Sequence, residues 1–152
     1  MKLDYQKLIG LINEAVIALK QTGLNVSLAA DLERMNQQLQ QSPIVDVITE
    51  RQRQVSDEGY TSGHDDIHEN GELALAAAEY AIQAAVAPWD EDIEYDEHEP
   101  GKYWPWDVTC WKPTSQRRDL VKAGALILAE IERIDRAATF KPGENNLAGV
   151  IE

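Results

Sequence analysis

The stretch "RRDLVKAGALILAEIERIDRAA", residues 117–138, decides the fold class. Leu120, Gly124, Ile127, Ile131 and Ile134 recur at alternating steps of four and three, which lays one apolar stripe along a helix. The stripe is expected to face the core, with Lys122, Ala129 and Arg133 turned away. Thr114 or Ser115 stands where an N-cap belongs, so the helix is expected from there to about Ala138. The tail that follows, "TFKPGENNLAGVIE" (139–152), contains Pro142 and Gly143 and is expected to be irregular.

Upstream, the same logic repeats. Residues 4–20 show Tyr5, Leu8, Ile12, Val16 and Leu19 at helical spacing, and Gly23 is suited to a helix C-cap. Ser27 is the expected cap of a second helix with Leu28, Leu32, Met35 and Leu39 on one seam, making an αα-hairpin. "SP" at 42–43 pairs an N-cap with Pro at the first helical position, opening a third helix that stops at Gly59. Its stripe is Ile44, Ile48 and Val55, and Arg51 falls beside that stripe, where its stem can cover apolar surface while its head reaches a carboxylate or ligand.

A fourth helix starts near Asn70 or Gly71 and ends before Pro88. Glu72, Glu79 and Gln83 share one of its faces. Ala74, Ala78, Ala81 and Ala85 share the other, and these small residues are expected to be the packed ones. Residues 87–114 have no period and hold four prolines and four tryptophans. Trp104, Trp106 and Trp111 are expected to pack back on the helices, with a stacking platform for a base or ring as the alternative. No strand pattern appears. The expected fold is all-α: about five helices, with an N-terminal hairpin (1–42), a helical core (43–138) and a long acidic Trp/Pro-rich loop inside that core.

The totals set limits on function. A chain of 152 residues carries 27 acids against 14 basic residues, a net charge of −13 that repels nucleic acid and anionic membranes. Seven acids and no Lys or Arg fall in "WDEDIEYDEHE" (89–99). The single cysteine, Cys110, excludes an internal disulfide and is compatible with a reducing compartment. "MKLDYQKLIGLINEAVIALK" is interrupted by polar residues and reads as neither signal peptide nor membrane span, so a cytoplasmic location is expected. The heptad seam and the small-residue helix are compatible with a homodimer.

Three groups of residues can carry chemistry. In "GHDDIHENGE", His64, Asp65, Asp66 and His68 crowd into five positions before the fourth helix; they are a helix entrance or one wall of a ligand site. Around the start of the last helix, Lys112, Arg117 and Arg118 make an anion cradle, or pair with the 90–99 acids. Glu69-x-x-Glu72 and Glu132-x-x-Asp135 each set two carboxylates on one helical face, a pattern that can hold Mg²⁺ against a triphosphate. With the tryptophans and Arg51, the first two groups define the expected ligand-binding set.

The two acidic pairs resemble the ExxE and ExxD of all-α nucleotide pyrophosphohydrolases of the MazG and dimeric dUTPase type. That resemblance covers four residues, with a longer separation than the family shows; it implies Mg²⁺ held by Glu69, Glu72, Glu132 and Asp135. A broader resemblance begins at Glu50. "ERQRQVSDEGYTSGHDDIHENGELALAAAEYA", "WPWDVTCWKP" and "RRDLVKAGALILAEIERIDRA" look like a small phage- and prophage-encoded family, which implies an accessory role in a bacterial host and no particular activity. Three classes of function follow. The first is a module binding a phosphorylated or nucleotide-like ligand, such as a host defence signal, without cofactor. The second is a Mg²⁺-dependent nucleoside triphosphate pyrophosphohydrolase. The third is an acidic decoy for a host nucleic-acid-binding defence protein.

Overall fold

The structure is a computed structural model that describes residues 5–23 and 25–139, Tyr5 and Gln6 by their backbone alone. The tail beyond Thr139 lies outside the described residues. All regular elements among the described residues are helical: α1 (Tyr5–Thr22), α2 (Val26–Gln40), α3 (Pro43–Asp57), the single turn α4 (Ser62–Asp65), α5 (Glu72–Val86) and α6 (Gln116–Thr139). The fold is all-α, as the periodicity requires. None of these helices is long and apolar enough to cross a membrane.

The chain divides into two compact units, Met1–Glu50 and Arg51–Glu152. The division falls inside α3, whose last turns, from Arg51 on, belong to the second unit.

In the first unit α1 and α2 form the expected hairpin, and Gly23 leaves α1 with φ of 65°, a left-handed conformation that suits glycine. Asn25, not Ser27, caps α2: its side-chain oxygen accepts from the Leu28 amide at 3.0 Å. The buried seam of α2 runs through Ala29 and Asn36 with Leu32 and Leu39 half-buried beside them, while Leu28 and Met35 are exposed. Asn36 donates to Asn13 across the hairpin at 2.6 Å. On α3 a similar rotation buries Val45, Arg51 and Gln54 and exposes Ile44 and Val55.

The second unit is built on α5 and α6, which pack antiparallel: Gln116 at the start of α6 donates to the Ala84 carbonyl near the end of α5. Their core joins Leu73, Ala76, Ala77 and Tyr80 to Ala123, Leu126 and Ala129, with Trp111 laid on top. Two expectations are reversed here. Ala74, Ala78 and Ala85 are exposed, and the polar Glu79 and Gln83 are buried. On α6 the stripe of Leu120, Ile127, Ile131 and Ile134 is about half exposed, and Ala129 is among the most buried residues. Alanines at the contact let two helix backbones approach closely, and that small face wins over the bulkier one.

The reversal on α5 has a plain cause. The chain from 90 to 115 is largely irregular and its amides need acceptors. Glu79 supplies them, accepting from Gly101 at 3.1 Å and Tyr103 at 2.8 Å. Gln83 donates to the Tyr95 carbonyl at 2.7 Å, and Trp111 Nε1 to the His98 carbonyl at 2.8 Å. Trp104, Trp106 and Trp111 pack as expected, with Tyr80 stacked on Trp111 at 4.6 Å. Trp89 is the exception and stays exposed.

Candidate functional site

Thr61 caps α4, its hydroxyl accepting from the His64 amide at 3.4 Å, and Gly71, with φ of 82°, separates this turn from α5. The polar cluster is therefore a self-contained helical turn. Its inner side chain, Asp65, is almost fully buried and paired with Arg51 of α3. Arg51 also donates to the Tyr60 carbonyl at 3.2 Å and to Glu132 of α6 at 3.3 Å, so one guanidinium ties α3, α4 and α6 together. Asp66 points the other way and pairs with Arg136 at 2.7 Å.

Between α4, α5, α6 and the turn at 106–110 lies a cavity of about 350 Å³. One wall is a ladder of rings. Tyr60 stacks on His64 at 5.0 Å, His64 meets His68 edge-on at 5.1 Å, and His68 meets Trp106 at 5.4 Å. Leu73, Leu126 and Ala129 supply apolar surface, and Arg51, Asp65 and Asp107 the charge. Burial and the nearby Glu58 raise the Tyr60 phenol above its ordinary range, which keeps it a neutral donor. Asp107 is held low by its bonds from the Thr109 hydroxyl and amide.

Three polar atoms on cavity-lining residues are shut off from solvent and make no hydrogen bond within the protein: Arg51 Nε, His68 Nε2 and Trp106 Nε1. Each such atom costs on the order of 1–3 kcal/mol until a partner reaches it.

Of the residues expected to bind ligand, the fold brings together Arg51, His64, Asp65, His68 and Trp106. It leaves out Asp66, on the outer side of α4, and Trp104 and Trp111, which serve the aromatic core. Lys112, Arg117 and Arg118 do not line the cavity: Arg117 and Arg118 sit in the first turn of α6, about two turns before Leu126, and Lys112 precedes that helix. Tyr60, Gln54, Asp107 and Cys110 line it without having been singled out. Tyr60 was legible in principle, because 60, 64 and 68 repeat at one helical turn.

The acidic pairs are dispersed. Glu132 is held by Arg51, and Asp135 is exposed. Glu69 lies in a second groove beside Arg133 and Arg136. Glu72 accepts from the Asn70 amide at 2.9 Å, and bonds from backbone and Asn70 hold its carboxyl below the usual range. Among the described residues no group of three or more His, Cys, Asp or Glu side chains gathers closely enough to hold a metal ion. These four acids therefore do not fit the Mg²⁺ site that the resemblance implied.

Fold and site together define an all-α chain with an aromatic-walled, partly charged cavity. Compared with protein-family models, curated proteins and solved structures, the chain has no match.

Proposed function

We propose that the protein binds a small, planar, heteroaromatic molecule of nucleobase or nucleoside type in the cavity between α4, α5 and α6. The observation that carries this reading is the ring ladder Tyr60–His64–His68–Trp106 along one wall of a cavity of about 350 Å³. Flat rings gain dispersion and quadrupole contact against such a wall. The volume falls in the range of ligand pockets, roughly 300–1,000 Å³.

Charge narrows the ligand. Arg51 is already neutralised by Asp65 and Glu132, and Asp107 adds a further negative charge. A phosphate inside would meet repulsion, so a nucleotide would place its base in the cavity and its phosphates at the mouth. With the resemblance to phage-encoded proteins, this supports a role in withholding a nucleotide-like molecule from the host. A calorimetric and thermal-shift panel of bases, nucleosides, nucleotides and cyclic nucleotides, with and without Mg²⁺, tests the proposal. Saturation about a hundredfold above Kd is worth about 2.7 kcal/mol, a rise of several degrees in Tm. No rise and no change in tryptophan fluorescence across the panel would defeat the reading. Pyrophosphate release from a triphosphate would replace it with the hydrolase.

A further inference from the structure

We propose that Asp107 sets the specificity of the cavity by accepting from two adjacent donors on the ligand edge, so that guanine is taken in preference to adenine. This rests on the reading of the cavity as a nucleobase site and deepens it.

Asp107 follows Trp106, the last ring of the wall, and both line the cavity, so a stacking surface and an acceptor stand side by side. The fold then pins the acceptor. Asp107 caps the short 3₁₀ turn Val108–Cys110, its Oδ1 accepting from the Thr109 amide at 2.8 Å and the Thr109 hydroxyl at 2.6 Å. Its carbonyl accepts from the Trp104 indole at 3.1 Å and the Cys110 amide at 3.0 Å. Trp104 is in turn packed against the core of α5 and α6. These bonds run to the backbone or to Oδ1, and among the described residues none reaches Oδ2. The Thr109 bonds also keep the carboxyl ionised at neutral pH. The other carboxylate on the cavity, Asp65, is 1% exposed and committed to Arg51.

With both lone pairs of Oδ1 taken, the acceptor left to a ligand is a single anionic oxygen held in place before binding. Guanine presents a ring N–H beside an amino group, and this pair closes on one oxygen as the two N–H groups of a urea do. Adenine sets its amino group between ring nitrogens that accept. Bringing that amino group to Oδ2 turns a ring lone pair towards the same negative charge. Hypoxanthine has the ring N–H without the amino group and falls between the two. The glycosidic nitrogen of guanine lies in the other ring, away from the donor edge, which keeps a sugar phosphate clear of the carboxylate. Bonds to an ionised acceptor are the strong ones, and losing them costs about tenfold to a hundredfold in affinity.

Calorimetry of the full chain with guanosine, inosine and adenosine is expected to rank them in that order, with guanosine about tenfold or more above adenosine. Asp107→Asn keeps a capping oxygen for Thr109 and puts an amide donor where Oδ2 stood. Its Tm should stay close to that of the wild type, while guanosine loses about tenfold to a hundredfold and adenosine holds or gains. Asp107→Ser, which caps through its hydroxyl and has no second oxygen, should lose the same preference without a gain for adenosine. Equal affinity for guanosine and adenosine in the wild type, or a guanosine preference intact in Asp107→Asn, would overturn the assignment and leave the nucleobase site standing. Binding of no nucleoside would remove both.

Discussion

Replacing Asp65 by alanine tests the joint that holds the cavity together. In the folded protein the Asp65 side chain is 1% exposed and its Arg51 partner 9%. Removing the carboxylate strands a buried guanidinium, a change that typically costs about 3–5 kcal/mol. Arg51 keeps its bond to the Tyr60 carbonyl and the longer contact to Glu132, whose side chain is one-third exposed. Those contacts take up part of the loss, which places the expected cost near ~3 kcal/mol, or about 6–12 °C in Tm. Denaturation should be followed by tryptophan fluorescence, because Trp89, Trp104, Trp106 and Trp111 all lie in the second unit. The double variant Arg51→Met/Asp65→Leu removes both charges and should recover most of the stability. A loss below about 1 kcal/mol for Asp65→Ala, the value of a surface pair, would refute the reasoning. So would a double variant less stable than the single.

Gly101→Ala should destabilise the loop, since a Cβ there would sit 2.9 Å from Glu79 Cδ and push the carboxylate off the Gly101 and Tyr103 amides. Equilibrium unfolding should register about 1–3 kcal/mol, and Glu79→Ala in the same background should add little. His64→Ala, which removes a ring of the cavity wall at an exposed position, should abolish any nucleoside-induced rise in Tm while leaving the helical circular dichroism intact. Alkaline pH should destabilise the second unit through Tyr80, whose phenol burial pushes from 10.0 up to about 12. The unfolded state ionises first, so stability is full below pH 10, falls between pH 10 and about 12, and then levels off. Tm against pH, compared with Tyr80→Phe, checks the sign; an unchanged difference across that window would count against it.

Much of the architecture was legible because it rests on local chemistry. Helix spacing, Gly23, Ser42-Pro43, Gly71 and Pro88 mark where helices start and stop, and those signals act within a turn of the chain. The tryptophans were also legible as anchors, because large apolar rings find few other stable places. The grouping of His64, Asp65, His68 and Arg51 was partly legible, since polar residues crowded before a helix need partners.

What the sequence could not determine was which arc of each helix meets a neighbour. On α6, apolar residues occupy more than half the circumference, and hydropathy favours the large aliphatic stripe over Ala123 and Ala129. Tertiary packing chose the alanines, because close approach of two backbones yields more contact than bulkier side chains holding them apart. It likewise turned Glu79 and Gln83 inward, since a loop some twenty residues away needed their acceptors and donors. The same choice left Arg117 and Arg118 away from the cavity and set the branched stripe of α6 on the outside. Composition fixed how apolar that stripe is; only the packed fold left it bare.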